Sequence, residues 1–499
     1  MDTKMSTRAE EALRNPVILR EIFKYRPLPP KEIRLMSQAW NQTVLSFPKP
    51  LLGLVLDSGT RNLGKSELAK MEGKLARNIR DMGCDESTLG SLPVCMAFRE
   101  FVQFLDITIN HEHLVTSLYG ILANYSPNLT RLTVNYSPIS HNSESIPTIE
   151  TTTFQKHTKL TELNLMCKSG SHLNVLFETI KTLILSAPNL LAVKIPANFY
   201  PDFSPCKKLR SLSVTTNVIF PTTMPDFSFD ELTRMLQQVS GTLETLEFED
   251  LVKIFDRMQV YEGNAAGSAF SGRVFQNIAK MGKLTHLRND LINIFSCGDG
   301  LEDVSKMPFL KSLHISKSFQ PPHFGNLDDL IGKIGKYVFG TVAELNLREI
   351  HDPELIGKLN ISFPSLTFLS ITSGRGRNSL GEISPLKIGP ILEACSKLEG
   401  LAYLILEIPT YPEKLSEFVG ALMKCGHFLE SLTTFMLHHH NYERQMRDDL
   451  TVENGIPELE QLLKSLRKIG TIMLDDVVFS PETLKNVESF KSVLTCNRL

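Results

Sequence analysis

The chain lacks the features by which most functional classes announce themselves. Its eight cysteines (Cys84, Cys95, Cys167, Cys206, Cys297, Cys395, Cys425 and Cys496) are scattered, and no C-x-x-C pair occurs. That spacing argues against a zinc ribbon or a thioredoxin-like redox pair, so reduced and mostly buried thiols are expected. No apolar run approaches the roughly 20 residues that a membrane-spanning helix needs, and no membrane partner is expected. The opening stretch MDTKMSTRAEEALRN mixes both signs of charge without an apolar segment, which argues against a secretory signal. Lys+Arg total 53 against Asp+Glu 55, so no basic field draws in a phosphate backbone, and nucleic acid is not an expected partner. These absences favour a cytoplasmic or nuclear location.

What the chain has is a recurring phrase: an apolar residue followed three and five positions later by two more. It is legible in NLTRLTVN (Leu129, Leu132, Val134), KLTELNLM (Leu160, Leu163, Leu165), NLLAVKIP (Leu190, Val193, Ile195), KLRSLSVT (Leu209, Leu212, Val214) and TLETLEFE (Leu243, Leu246, Phe248). It returns in FLKSLHIS (Leu310), TVAELNLR (Val342), SLTFLSIT (Leu366), LAYLILE (Leu401), LTTFMLH (Leu432) and IGTIMLD (Ile469), while KLTHLRND at Leu284 reads as a damaged copy. Ile469 lies 340 residues beyond Leu129, eleven steps of about 31, with single steps from 19 to 41. Alternation at the end of each phrase predicts a short strand with every second residue inward. The intervening stretches, such as SLYGILANYSPNL, ETIKTLILSAPNL, RMLQQVSGTL, GPILEACSKL and ALMKCGHFL, read as amphipathic return helices ending in a small polar break. One unit cannot bury its apolar side alone, so neighbours must stack.

The cadence of helix, PNL and strand resembles the longer leucine-rich repeats of the ribonuclease-inhibitor type, and more closely those of F-box leucine-rich-repeat proteins. The resemblance implies an α/β repeat fold: a leucine-rich-repeat solenoid with a curved parallel sheet inside and helices outside, preceded by a small all-α F-box. The expected organisation is a tail at 1–14, an F-box-like helical motif at 15–50, a solenoid at 51–490 whose first units at 51–127 are irregular, and a tail at 491–499. In NPVILREIFKYRPLPPKEIRLMSQAWNQTV, Pro16 stands where the motif's proline stands, with Val17, Leu19, Ile22 and Phe23 on one helical face. Pro27, Pro29 and Pro30 break the helix, and a second one follows with Ile33, Leu35, Met36 and Trp40, the single tryptophan, on its apolar face. Asn15, Pro27 and Gln38 depart from the pattern. The resemblance implies that these nine apolar residues dock a Skp-type adaptor and through it a cullin, making the chain a non-catalytic receptor that presents an unknown protein target to a ubiquitin ligase. No cofactor and no metal is expected.

Other motifs compete with this reading. GTRNLGKS, Gly59 to Ser66, satisfies the Walker A formula after the apolar run LLGLVLDS. A leucine-rich repeat is also strand, loop and helix, so that context does not discriminate. LLGLVLD fits the repeat phrase with Leu51, Leu54 and Leu56 inward, KSELAKMEGKLARNIRDMG serves as a return helix, and Lys65 reads as a solvated loop lysine. FVQFLDITIN frames as a repeat with Phe104, Ile107 and Ile109 buried and Asp106 between them, so Asp106 makes a poor magnesium ligand. His438 to His440 are adjacent, and adjacent strand residues face opposite ways. His111 and His113 share a face but have no evident third ligand.

The outward strand positions are the natural binding wall of such an array. Candidate target-binding residues on it are Asn135, Asn164, Glu247, Glu249, His314, Asn346, Arg348, Glu407, His438 and Asp475. Their mixed chemistry suits a protein target better than a ligand of a single charge. The Gly/Ser-rich stretch 373–384 reads as a loop over that wall, and 262–272 as an insertion.

Overall fold

A computed structural model describes residues 53–57, 65–83, 89–137, 154–167, 173–216, 228–250, 281–290, 300–315, 334–348, 353–372, 388–408 and 415–439, with the strand pairs and short strands at 451–452, 471–474, 478–479 and 494–495. The chain divides into two compact units, Met1–Arg210 with Asn217–Pro225, and Ser211–Thr216 with Asp226–Leu499.

The first unit carries strands β1 (Leu54–Leu56), β2 (Asn78–Asp81), β3 (Phe104–Ile109), β4 (Arg131–Tyr136), β5 (Glu162–Cys167) and β6 (Ala192–Pro196). They pair in chain order and all in parallel. Parallel neighbours need a crossover connection, and the intervening segments supply it: α1 (Lys65–Lys70), a 3-10 turn at Gly73–Arg77, α2 (Ser91–Phe98), α3 (Leu114–Gly120), which runs on into a π turn at Ile121–Tyr125, and α4 (Asn174–Ser186). α4 shows why these segments are helical. It buries Leu176, Ile180, Leu183 and Ile184 at helical spacing against the sheet and leaves Glu178 and Leu185 outside.

The second unit repeats the plan. Strands β7 (Ser211–Thr216), β8 (Thr245–Asp250), β9 (His286–Asn289), β10 (Ser312–Ile315), β11 (Glu344–Arg348), β12 (Phe368–Thr372), β13 (Tyr403–Ile408) and β14 (Thr434–His439) pair in parallel in that order. A two-stranded piece, β15 (Thr451–Val452) with β17 (Val478–Phe479), stands apart, while β16 (Thr471–Leu474) continues the main ladder and β18 (Leu494–Thr495) follows it. Residues 491–499, expected as a tail, thus contribute a short strand. Helices α5 (Phe229–Val239), α6 (Gly300–Ser305), α7 (Pro353–Ser362), α8 (Ile388–Cys395), α9 (Leu415–Lys424) and α10 (Gly426–Ser431) occupy the return segments. α5 starts on a cap, where the Ser228 hydroxyl accepts from the Glu231 amide at 3.3 Å.

Register identifies the fold. Leu105, Leu132, Leu163 and Val193 stand side by side in the first unit, as do Leu212, Leu246, Leu287, Leu313, Leu345, Leu369, Leu404 and Phe435 in the second. Each of these is at most 2% exposed. Every such side chain withdrawn from water contributes about 1.5–3 kcal/mol, so the inward rows are the main source of stability in each unit. The small polar break has its own task. The Leu129 amide donates to the Ser126 carbonyl, Leu190 to Ala187, Leu209 to Cys206, Val342 to Phe339 and Leu366 to Phe363, each closing a four-residue turn ahead of the strand. Asn128 Nδ2 reaches the Glu100 carbonyl at 2.8 Å and Asn189 Nδ2 the Thr158 carbonyl at 2.7 Å, so the asparagine of PNL ties each unit to the preceding one. This is a leucine-rich-repeat solenoid of α/β type.

Three expectations are corrected. In β3 the buried residues are Leu105, Ile107 and Ile109, with Phe104 only half-buried, because Leu105 and not Phe104 pairs with Leu132. KSELAKMEGKLARNIRDMG is not one return helix: α1 ends at Lys70, a 3-10 turn follows, and NIRD is strand β2. Asp81 takes the inward place where other strands have an aliphatic residue. Its carboxylate is buried because it accepts from the Ser91 amide at 2.7 Å and the Gly83 amide at 3.0 Å. Gly83 itself has φ +62°, and a Cβ there would stand 2.0 Å from the Thr108 carbonyl oxygen, so only glycine fits. The copy at KLTHLRND is intact: β9 holds its place in the ladder with Leu284 and Leu287 buried. Among the described residues no helix is long and apolar enough to cross a membrane.

Two predictions follow from this packing. Leu369→Ala should cost about 2–5 kcal/mol in urea unfolding, whereas its outward neighbour Ser370→Ala should change stability by less than about 0.5 kcal/mol; similar costs for both would contradict the alternation. The second concerns His157, which is buried with Nε2 3.0 Å from the Leu122 carbonyl, while Nδ1 has no partner. Desolvation outweighs that hydrogen bond and lowers the imidazole pKa below its ordinary 6.5. The unfolded chain therefore takes up this proton at higher pH than the folded chain, and stability should fall as pH drops from about 6.5 through the folded pKa. His157→Gln, which keeps a donor for Leu122 and has no proton to gain, should flatten that part of a stability-against-pH curve.

Candidate functional site

Alternation along each strand that buries the leucines also fixes which residues face away from the helices. In the first unit one outward row runs Arg80, Asp106, Thr133, Asn164 and Lys194, with Thr108, Asn135 and Met166 in the next. Asp106 is the second residue of that row and is paired on both sides. Arg80 Nε lies 3.2 Å from one carboxylate oxygen and Asn135 Nδ2 donates to the other at 3.1 Å. Arg80 is largely exposed, so this pair adds little stability, and its main effect is to hold the Asp106 charge in place. Asn164 Oδ1 is buried in the same row without a hydrogen-bond donor.

The second unit concentrates more chemistry. Its central outward row reads Ser213, Glu247, Arg288, His314, Asn346, Ser370, Ile405 and Met436. Glu249 lies two residues beyond Glu247 on the same face of β8, and Asp290 follows directly after β9. The Asp290 amide donates to the Phe248 carbonyl at 2.7 Å, which pins the backbone beside β8, and its carboxylate is fully buried. Arg288 grips that carboxylate through Nε at 3.0 Å and Nη2 at 2.8 Å, and its Nη1 reaches Glu249 at 2.9 Å. His314 Nε2 lies 3.0 Å from the other Asp290 oxygen. Burial opposes the Arg288 charge, but Asp290, Glu249 and Glu247 outweigh it and raise its pKa above the ordinary arginine value. The cluster is thus three carboxylates around one guanidinium, with a net negative field when His314 is neutral.

Farther along, the same face turns apolar. Phe368 and Tyr403, paired on neighbouring strands, hold ring centroids 6.3 Å apart, with Ile405 and Met436 beside them half-buried. Thr372 Oγ1 donates to Glu407 at 2.8 Å at the margin of this strip.

The sequence-derived candidates distribute accordingly. Glu247, Glu249 and His314 are brought together, Asn346 follows in their row, and Glu407 lies two strands beyond Asn346 in chain order. Asn135 and Asn164 belong to the first unit. Arg348 and His438 pair in register with Thr372 and Glu407 on the neighbouring strands, and Asp475 lies outside the described residues. Pro16, Val17, Leu19, Ile22, Phe23, Ile33, Leu35, Met36 and Trp40 also lie outside them, as do Gly59 to Gly64 of the Walker-like stretch, 262–272 and 373–384. Lys65 is the first residue of α1 and not a loop residue.

Arg288 and Asp290, the centre of the cluster, were missing from the candidates because their copy of the phrase looked damaged. Asn289 sits where an aliphatic residue is expected, yet it is fully buried and pairs with Phe248 and Ile315 in the inward row. Counting outward positions from Leu287 finds Arg288.

His111 and His113 stack with centroids 5.6 Å apart, and no group of three or more metal-binding side chains occurs among the described residues. Burial pushes the thiols of Cys95, Cys167 and Cys206 up to about 12 and raises Cys395 further, so none is a ready nucleophile.

No family model and no curated protein matches the sequence. Solved structures it resembles include the leucine-rich-repeat-containing protein LegL7 from Legionella pneumophila, at 16% identity over 53% of this chain and 77% of that one, TM-score 0.32. A protein from Bacteroides fragilis is 14% identical over 58% and 66%, TM-score 0.31. The complex of Rad7 and Elc1 in yeast matches at 14% identity over 70% and 78%, TM-score 0.31. The fold assignment rests on the strand register of the chain itself.

Asp290→Ala strips Arg288 of a buried acceptor and should destabilise the chain by about 2–4 kcal/mol, the range for breaking a buried pair reduced for the part-exposed arginine. Arg288→Met added to it should recover part of that loss, with a coupling above about 1 kcal/mol in a double-mutant cycle measured by urea unfolding. Additive effects would mean that the cluster is not a unit.

Proposed function

We propose that the chain is a non-catalytic receptor that presents a protein target to a ubiquitin ligase. The observation that carries the target-binding half is the outward face of the second unit: neighbouring strands in one register offer charged, polar and apolar side chains in ordered rows, and a row of this chemistry suits a protein surface. The ligase half is supported by the sequence of residues 15–50, where proline, Ile-Phe and tryptophan follow the order of an F-box. Its apolar helix face is of the kind that docks a partner, here a Skp-type adaptor that leads to a cullin. No chemistry on the target is required of this chain. Holding target and ligase on one scaffold makes ubiquitin transfer effectively intramolecular, which raises the local concentration of the reacting groups.

Purified full-length chain should retain a Skp-type adaptor in a pull-down, and Phe23→Ala with Trp40→Ala should abolish retention while leaving the thermal midpoint within about 2 °C. A folded chain that ignores the adaptor would leave a repeat scaffold without ligase association. Saturable ATP or GTP binding lost in Lys65→Ala would instead restore the nucleotide reading of GTRNLGKS.

A further inference from the structure

The face of the second unit is graded, and the grade specifies the chemistry of its occupant. At the β8–β9 end the field is negative: Glu247, Glu249 and Asp290 surround Arg288, whose charge is already taken up by Asp290 and Glu249. At the β12–β14 end Phe368, Tyr403, Ile405 and Met436 form an apolar strip, with Tyr403 41% exposed to solvent and Glu407 held by the Thr372 hydroxyl at its margin. Between the ends the central row holds His314, Asn346 and Ser370, polar side chains of which the last two offer amide and hydroxyl groups to a backbone. Glu247 and Ile405 occupy the same row five strand steps apart, which at about 4.8 Å per step is about 24 Å, the length of about seven extended residues.

We infer that this face binds an extended segment of a protein partner that carries a lysine or arginine about seven residues from an aliphatic or aromatic anchor. The cation meets the carboxylates of β8, the anchor covers Ile405, Met436 and the Phe368–Tyr403 pair, and the intervening backbone crosses Asn346 and Ser370. A segment with an acidic residue in place of the cation is rejected, because it would bring like charge to Glu247 and Glu249. The inference rests on the reading of this face as a protein-binding surface and is independent of the ligase link.

The test is selection of a random 12-residue peptide display library on the full-length chain, with affinities of synthesised winners measured by fluorescence polarisation. Winners should share a basic residue six to eight positions from Leu, Ile, Phe or Trp. Glu247→Lys and, separately, Met436→Asp should each weaken binding at least tenfold, with thermal midpoints confirming that both variants fold. A winner with its basic residue changed to Glu should bind Glu247→Lys better than it binds the unaltered chain. Winners without a basic residue, or affinities unmoved by both substitutions, would overturn the inference while leaving the surface a protein-binding one. Failure to select any peptide would count against both.

Discussion

Everything in this molecule depends on the inward row. A strand of four to six residues with three apolar side chains is too small to be stable in water, and the loss is made good only when the next strand sets its own leucine beside the first. That requirement dictates parallel pairing in chain order, since each unit must return to the same side to present the same face. It also fixes the register. A slip of one residue would turn Leu345 toward solvent and Asn346 into the core, at the cost of a buried amide left without partners.

Because the constraint is confined to the strand and the turn before it, the rest of each unit is free to vary. The spacing from Leu190 to Leu209 is 19 residues and leaves no room for a helix, so buried Phe199 and Phe203 take over the packing, with Phe199 against Phe177 at a 4.5 Å ring separation. Elsewhere α4 or α5 fills the same role with helical spacing. A hydroxyl tie between neighbouring repeats recurs at several threonines that follow the turn. Thr130 Oγ1 to the Gln103 carbonyl, Thr161 Oγ1 to the Thr130 carbonyl and Thr285 Oγ1 to the Glu244 carbonyl repeat one bond, and each satisfies a backbone acceptor beside the sheet.

The candidate site is a by-product of this order bent to a use. Outward residues are spared from packing, so their chemistry is unconstrained by the fold. Asp290 is the exception, a carboxylate fully buried at the end of a strand and compensated by a guanidinium and an imidazole. Such a group is costly unless fully paired, and the pairing sets Arg288, Glu249 and His314 in fixed positions on the surface. The fold therefore gives up stability to hold these charges in fixed positions on its outward face.

Much of the architecture is legible in the letters, for a physical reason: burial of every second strand residue recurs at a period that can be counted, so the phrases from Leu129 to Leu437 fall into phase by sequence alone. Where the inward place is held by a polar residue the count failed, as at Asp81 and Asn289, because the partners that make those residues tolerable, the Ser91 and Gly83 amides and the neighbouring inward row, are distant or unreadable in sequence. Outward positions such as Glu247 and His314 were likewise determined by the sequence, since alternation alone assigns a face. That Glu249 and His314 join Arg288 and Asp290 in one cluster was decided only by the tertiary structure, because register across strands, and not proximity along the chain, brings Glu249 to Arg288 at 2.9 Å and His314 to Asp290 at 3.0 Å.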